Sequence, residues 1–265
     1  MARPLFVVSA PRSGSTWVVA LLGSHPQIRM VNELGWVPFL RRTCLLASTP
    51  AGRWIDDGEG FRTPGILTER HAESFARSWQ AGVRPFVDDL YRRIAGDGAG
   101  SAFFGDKLVS VADLAFALEQ FPEAAFVHLV RDPRDAIASA YAFASKQPMP
   151  WDGASFDVRV GFMERFLREA GARLQGREHF VVRYEDLVAD VPGRLRAMLA
   201  FLGLDLTPEV DAFRRGAAAE LFARHGTSDT AAASIGRWRR DLTAPQQALA
   251  NTVLREQLQR FGYPA

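Results

Sequence analysis

Residues 4–17 of this chain read Pro4-Leu5-Phe6-Val7-Val8-Ser9-Ala10-Pro11-Arg12-Ser13-Gly14-Ser15-Thr16-Trp17. An apolar run gives way to a loop rich in Pro, Gly and Ser, and a helical pattern begins directly after that loop. The first N–H groups of such a helix have no acceptor inside it, and the helix dipole adds positive potential at the same spot. The segment therefore predicts a strand, an anion-binding loop and a helix, in that order.

The loop differs from the usual triphosphate-binding loop, G-x-x-x-x-G-K-[ST]. Ser9 stands at the first Gly, and Ser15 stands where a Lys would reach the second and third phosphates. The loop keeps a cation, a glycine for close backbone approach, and three hydroxyls, namely Arg12, Gly14, Ser13, Ser15 and Thr16. It therefore suits an anion smaller than a triphosphate.

The composition favours one folded domain that spans residues 1–265. The chain has 265 residues, of which 48% are hydrophobic, so it can bury a large core. Lys and Arg number 32 against 30 Asp and Glu, and these charges are scattered along the chain. A basic surface of the kind that binds nucleic acid is therefore not expected.

The single cysteine and the apolar pattern bear on the compartment. Cys44 alone cannot form an intramolecular disulfide or a thiolate metal site, and we expect it to be a small buried residue. We find neither the roughly 20 consecutive apolar residues of a membrane span nor the apolar core of an export signal. We therefore expect a cytoplasmic protein without stable membrane insertion.

Strand and helix patterns alternate along the chain. A first strand and helix are predicted over about residues 4–24, and further strands at residues 101–107, 124–130 and 180–183. Further helices are predicted at residues 34–47, 67–94 (one or two helices), 111–121, 156–174, 192–202 and 246–261. This alternation predicts an α/β fold in which helices flank a central parallel sheet. Residues 34–100 are a mainly helical excursion that we expect on the substrate side of the sheet.

A second polar turn, Arg131-Asp132-Pro133-Arg134-Asp135, follows the apolar strand at 124–130. Ligands of an open parallel sheet bind beyond the carboxyl ends of its strands. If the two strands are neighbours, the loop at Gly14 and a site at Arg131, to which Ser139 adds a hydroxyl, form two anion sites on one edge. Two anion sites indicate a ligand that is phosphorylated at two places.

Simpler interpretations of these residues stay open at this point. The second turn is also typical of a plain helix start, in which Asp132 caps the helix and Arg134 pairs with Asp135. Tyr184-Glu185-Asp186 is equally consistent with an ordinary strand end. Trp17 fits a core position, although beside a phosphate loop it could stack on a base.

Four segments, taken in order, resemble the sulfotransferase family that uses 3′-phosphoadenosine 5′-phosphosulfate (PAPS). They are residues 11–17, residues 130–135 with Ser139, Arg183-Tyr184-Glu185-Asp186-Leu187, and Ile235-Gly236-Arg237-Trp238. Together they span nearly the whole chain in the family's order. The resemblance implies a three-layer fold of the P-loop type.

The resemblance also implies a role for each candidate residue. The 5′-phosphosulfate is held by the loop residues Arg12, Ser13, Gly14, Ser15 and Thr16. The 3′-phosphate is held by Arg131 and Ser139, the adenine lies near Trp17 and Tyr184, and the nucleotide is covered by Ser228 and Arg237. The product is adenosine 3′,5′-bisphosphate (PAP), no metal ion is required, and a homodimer is compatible with this assignment.

The chain departs from the phenol- and steroid-type members of the family. Those members have a Lys-Thr-His stretch whose His is the base, whereas this chain has Val109 at that position, and a valine cannot take a proton. They also have an Arg-Lys-Gly segment shortly before the late Gly-x-Trp, where this chain has residues 231–233, which are all alanine.

The stretch at residues 25–33 is more similar to the tyrosylprotein and bacterial branches, in which a Glu at this place is the base. The resemblance therefore implies Glu33 as the base, with Asp106 and Glu59 as lesser candidates. Arg12, Lys107 and the loop N–H groups then stabilise charge on the leaving oxygen during in-line transfer of the sulfuryl group to a hydroxyl or amine.

The acceptor is expected to be a small molecule, lipid or glycoside with an apolar or aromatic part. Aromatic residues in and near residues 34–100 and 144–160 favour this, although part of them fits the core equally well. They are Trp36, Phe39, Trp54, Phe61, Trp79, Phe86, Tyr141, Phe143, Trp151 and Phe156.

Two alternatives come from other functional classes. One is a nucleotide kinase or hydrolase of the same layered fold, and Ser15 in place of the Lys argues against it. The other is a non-catalytic nucleotide-binding protein. The presence of Glu33 and Lys107, both candidate catalytic residues, argues against it.

Overall fold

The computed structural model describes residues 2–32, 34–57, 60–65, 67–95, 100–145, 153–216 and 226–264. In chain order its strands are β1 (Arg3–Val8), β2 (Ile28–Met30), β3 (Trp54–Asp56), β4 (Arg62–Pro64), β5 (Phe103–Leu108), β6 (Ala125–Val130) and β7 (His179–Arg183). Five of them form one parallel sheet in the order β2-β5-β1-β6-β7, and β3 pairs with β4 in a separate antiparallel hairpin. The predicted α/β fold with a central parallel sheet is confirmed.

Helices connect these strands, and one 3₁₀ turn lies at Ala232–Ser234. The helices of the described residues are α1 (Ser15–Gly23), α2 (Trp36–Ser48), α3 (Glu69–Ala95), α4 (Val111–Gln120), α5 (Pro133–Ala144), α6 (Phe156–Leu174), α7 (Tyr184–Ala189), α8 (Val191–Phe201), α9 (Pro208–Arg215), α10 (Trp238–Asp241), α11 (Ala244–Val253) and α12 (Arg255–Arg260). The single helix predicted at 246–261 is therefore wrong, because α11 and α12 divide that stretch.

The central strand β1 contributes to two apolar layers. Successive side chains of a strand point to opposite faces, so Phe6 and Val8 pack into one layer with α2, α4 and α6. Leu5 and Val7 pack into the other layer with α1 and α8. The side chains of residues 5–8 are all fully buried, which is why this strand reads as a continuous apolar run.

The strand order brings both polar turns to one edge of the sheet. β1 lies between β5 and β6, and Val8 is level with Leu108 on one side and His128 on the other. The loop after β1 and the turn after β6 therefore leave from adjacent carboxyl ends. The two strands are therefore neighbours, as the prediction of two anion sites on one edge required.

Residues 34–100 contain the predicted helices, here α2 and α3, together with the hairpin β3–β4. The second long helix is a single helix, α3, with Pro85 inside it. A buried ion pair joins Arg41 of α2 to Asp113 of α4, with Nε and Oδ1 2.7 Å apart. Strand β2 was not predicted, since its three residues are too few to show a period.

Candidate active site

The loop between β1 and α1 has an unusual backbone. Both Arg12 and Gly14 have positive φ angles, of 65° and 94°. A Cβ atom added at Gly14 would lie 2.8 Å from the ring of Tyr184, so only glycine fits between this loop and that ring. Ser13 and Ser15 are buried, and Gly14 caps α1 without a side chain, so no N-cap side chain accepts from the first turn of the helix.

Two cations lie beside this loop. Lys107 on β5 donates from Nζ to Oγ1 of Thr16 at 3.1 Å, which brings its ammonium to the first turn of α1. The guanidinium of Arg12 lies over the ring of Phe143, 4.1 Å from its centroid. Arg12 and Lys107 therefore both lie at the loop that the sequence predicts to bind an anion.

Arg131 connects this loop to residues 226–238. Its Nη1 donates to the main-chain oxygen of Arg12 at 3.0 Å, and its Nη2 donates to the main-chain oxygen of Ser234 at 2.7 Å. The guanidinium also lies over the ring of Tyr184, 4.6 Å from the centroid. Arg131 is 5% exposed, and its buried Nε has no hydrogen-bond partner among the described residues.

Ser139, Ser228 and Arg237 also come together, around Thr227. The hydroxyl oxygens of Ser139 and Thr227 are 2.9 Å apart. Nη1 of Arg237 donates to the hydroxyls of Thr227 and Ser228, at 2.6 and 3.2 Å, and its Nε donates to Asp241 at 2.6 Å. Thr227 was not among the predicted site residues, and its only signal in the sequence is a second hydroxyl directly before Ser228.

Tyr184 lies between the loop at Gly14 and the 226–238 segment at Ser234, and Trp17 packs against it. Tyr184 begins α7, is 2% exposed, and its hydroxyl lies 3.0 Å from that of Ser234. Trp17 packs edge-on against Tyr184, with 6.2 Å between ring centroids, and is half-buried. The ring of Tyr184 is thus enclosed by protein, between Gly14 and Arg131.

The turn at residues 131–135 starts α5, with Asp132 as its cap. Oδ1 of Asp132 accepts from the main-chain N–H of Arg134 at 3.0 Å. The expected pairing of Arg134 with Asp135 is wrong, because Arg134 pairs with Asp132 at 2.7 Å. Asp135 instead accepts from the main-chain N–H groups of Gly236 and Trp238, at 2.7 and 2.9 Å, and burial raises its pKa to about 6.

Of the three candidate bases, Asp106 alone lies within the described residues. Glu33 and Glu59 lie outside the described residues. Asp106 is buried, and its carboxylate accepts from the main-chain N–H groups of Leu34 and Lys107, at 3.1 and 2.7 Å. Asp106 therefore anchors the backbone directly after position 33. Val109 follows β5 and is half-buried.

The aromatic residues expected around an acceptor divide into core and surface. Trp36 is buried in the core, whereas Phe39 is 63% and Trp54 is 64% exposed. Trp151 lies outside the described residues. Cys44 is half-buried and packs against the core rather than within it.

The described parts of the chain hold no group of three or more His, Cys, Asp or Glu side chains placed to bind a metal ion. None of their helices has the length and apolar character needed to cross a membrane.

A parallel sheet with a glycine-containing loop and helix start after its central strand, and an arginine turn after the neighbouring strand, is typical of proteins that bind phosphorylated ligands. The family model described as "Sulfotransferase family" matches residues 4–208. The chain belongs to the sulfotransferase family.

Individual relatives agree with this assignment. The omega-hydroxy-beta-dihydromenaquinone-9 sulfotransferase Stf3 of Mycobacterium tuberculosis is 29% identical over 156 residues, which are 55% of this chain and 37% of that protein. The chain spans 26% to 37% of the length of the curated relatives it matches.

Solved structures share the fold. A sulfotransferase domain from the curacin biosynthetic pathway is 17% identical, with a TM-score of 0.60 over 100% of this chain and 99% of that one. A mouse sulfotransferase complexed with PAP is 14% identical, with a TM-score of 0.53 over 97% of this chain and 85% of that one.

Proposed function

We propose that this sulfotransferase uses PAPS as donor and moves its sulfuryl group to a hydroxyl or amine of a small-molecule, lipid or glycoside acceptor. The observation that carries the proposal is the position of Arg131. It donates to the backbone of the loop at Arg12 and to that of the 226–238 segment at Ser234, so one buried cation lies between the two proposed anion-binding groups. A ligand with a 5′-phosphosulfate and a 3′-phosphate matches this pair.

The residues present fit such a ligand. The loop offers the N–H groups at the start of α1, where no N-cap side chain is bound, together with the hydroxyls of Ser13, Ser15 and Thr16. Arg131 retains a buried Nε without a partner in the described parts of the chain, which is costly unless a ligand oxygen accepts from it. Ser139 and Ser228 add hydroxyls next to Arg237 on the 3′-phosphate side.

PAPS supplies an activated sulfuryl group when it is bound. The protein then contributes positioning and charge, as in related phosphoryl transfers. Lys107, held on Thr16, and Arg12 stabilise negative charge near the loop. Glu33 removes the acceptor's proton, and Asp106 fixes the adjacent backbone at Leu34.

The acceptor is an apolar or aromatic alcohol or amine. Phe143 lies on Arg12 at the loop, and the exposed Phe39 and Trp54 belong to the excursion between β2 and β5. The name of the mycobacterial relative gives a hydroxylated dihydromenaquinone as its acceptor, which is a molecule of this chemical type. We further propose that residues 1–265 act as one domain and that the protein works in the cytoplasm.

Titration calorimetry and a turnover assay test the donor. PAP is expected to bind more tightly than ATP, since Ser15 replaces the lysine that holds a triphosphate. Tighter binding of ATP would instead support a kinase or hydrolase. Transfer of labelled sulfate from PAPS to a panel of apolar alcohols and amines separates an enzyme from a non-catalytic nucleotide-binding protein.

A further inference from the structure

Residues 261–264 contact the turn at residues 131–135 once directly, at Arg134, and once through Glu185. The hydroxyl of Tyr263 donates to Oε2 of Glu185 at 2.8 Å. The main-chain oxygen of Pro264 accepts from Nη2 of Arg134 at 2.6 Å. Both contacts come from a part of the chain beyond residues 4–208, which the family model matches.

Glu185 connects Tyr263 to the turn at residues 131–135. Its Oε1 accepts from the main-chain N–H of Asp132 at 3.0 Å, while its Oε2 accepts from Tyr263. Asp132 directly follows Arg131 in the chain, so this carboxylate fixes the peptide from which the Arg131 side chain extends. Glu185 itself follows Tyr184, on whose ring the Arg131 guanidinium lies.

Tyr263 is buried in the protein rather than exposed on its surface. Tyr263 is 6% exposed, and the guanidinium of Arg183 lies over its ring, 4.4 Å from the centroid. Burial and the neighbouring Glu185 carboxylate raise the pKa of Tyr263, so its hydroxyl stays protonated and donates at neutral pH. A charge-assisted hydrogen bond of this kind is stronger and more directional than a neutral one.

We propose that Tyr263, acting through Glu185, is a positioning residue for Arg131 and thereby for recognition of the 3′-phosphate of the donor. The inference rests on the proposed function, because it assigns the 3′-phosphate to Arg131. Tyr263 has no contact with the loop at residues 12–16 among those found in the described parts of the chain. Its loss can reach the loop only through the bond from Arg131 to the main-chain oxygen of Arg12, so the larger effect is expected on the 3′ side of the nucleotide.

The test compares two nucleotides that differ only in the 3′-phosphate. Calorimetry of Tyr263→Phe with PAP and with adenosine 5′-monophosphate should show PAP affinity reduced about fivefold to tenfold, the range expected for one buried hydrogen bond. Affinity for the monophosphate should stay within about twofold, because its phosphate lies on the loop. The ratio of the two affinities is the readout that a general loss of stability does not move.

Tyr91→Phe is the matched control. Tyr91 is 3% exposed, and its hydroxyl makes one side-chain hydrogen bond, accepting from Trp36 Nε1 at 2.9 Å. Removing this hydroxyl also costs one buried bond, but in the core between α2 and α3. The ratio of PAP to monophosphate affinity should equal that of the unaltered protein.

A second variant tests the route through Glu185. Glu185→Ala should lower the affinity ratio at least as much as Tyr263→Phe, and the double variant should lower it no further than Glu185→Ala alone. An unchanged ratio in Tyr263→Phe, equal losses for both nucleotides, or additive losses in the double variant would each overturn the inference. Should Tyr263→Phe fail to fold, an unchanged ratio in Glu185→Ala does the same. If the unaltered protein shows no preference for PAP over the monophosphate, the proposed function fails instead.

Discussion

The side chain of Arg131 donates a hydrogen bond to the main-chain oxygen of Arg12, across 3.0 Å. An arginine from the turn after β6 thereby holds the backbone of the loop after β1 in its positive-φ conformation. The two anion-binding groups of the proposed donor site are thus joined by one side chain, so an alteration of that side chain affects both.

Arg131→Lys is expected to weaken PAP binding roughly 100-fold, since an ammonium cannot reproduce the planar donor set that reaches Arg12 and Ser234 at once. Calorimetry with PAP measures the effect. Arg168→Lys on the surface of α6 serves as a control and should bind PAP as the unaltered protein does. An Arg131→Lys protein with normal affinity for PAP contradicts the role given to Arg131.

Gly14→Ala is expected to abolish measurable PAP binding and to lower the free energy of unfolding by about 1–3 kcal/mol. Its φ of 94° disfavours any L side chain, and the added Cβ would meet the ring of Tyr184. Gly161→Ala in α6 is the control, because a Cβ there has no neighbour within 4 Å. Urea unfolding and calorimetry are the measurements, and equal behaviour of the two variants would contradict the close approach of loop and ring.

Glu33→Gln is expected to bind PAP normally and to lose about 10²-fold to 10⁴-fold in kcat, the usual contribution of a general base. The amide keeps the size of the side chain but cannot take the acceptor's proton. Steady-state kinetics with PAPS and an active acceptor measure it. Full turnover in Glu33→Gln, with a loss in Glu59→Gln, would transfer the role of base to Glu59.

His128 on β6 predicts sensitivity to acid. It is buried, its Nε2 lacks a hydrogen-bond partner in the described parts of the chain, and burial, with His179 and Arg260 nearby, lowers its pKa to about 3. Below the ordinary pKa of 6.5 the unfolded chain binds a proton that the folded chain does not. The free energy of unfolding should therefore fall as the pH drops from about 6.5 towards 3, by up to about 1.4 kcal/mol per pH unit.

Urea unfolding of His128→Leu between pH 7 and pH 5 checks this. Leucine has a similar volume and no proton to bind, so the variant should lose less stability over this interval than the unaltered protein. The same dependence on pH in both proteins would show that other groups cause it.

Arg134→Leu is expected to destabilise the protein by about 3–5 kcal/mol, because it leaves the carboxylate of Asp132 buried without its cation. Arg134 is fully buried and also donates to Asn251 and to the main-chain oxygen of Pro264. Arg168→Leu breaks an exposed pair with Glu164 and should cost less than about 1 kcal/mol. Similar unfolding midpoints for the two variants would contradict this ranking.

Local patterns predicted the parts of the site that follow a long apolar strand. The loop after β1 and the turn after β6 each have such a strand before them and a helix after them, and the strand and helix at each place are confirmed. The contact between Arg131 and Arg12 could not be predicted from the sequence, because it depends on the order of the strands in the sheet, which hydrophobic periodicity does not encode.

Other features escaped prediction because their cause is not local. Thr227 meets Ser139 only because residues 226–238 fold back on α5, held by Asp135. The pairing of Arg134 with Asp132 rather than Asp135 follows from the same arrangement, since both oxygens of Asp135 are taken by the main chain of Gly236 and Trp238. Sequence proximity alone made the two aspartates equivalent partners.

The long crossover from β2 to β5 leaves and rejoins the sheet at neighbouring strands on one margin. Strands β1, β6 and β7, with the loop, the arginine turn and Tyr184, lie on the other side of β5, and among the described residues the hairpin of the crossover pairs only β3 with β4. Grafting the α2–α3 region of another family member onto this chain should therefore exchange the preference for an alcohol or amine while the nucleotide specificity is inherited from the recipient.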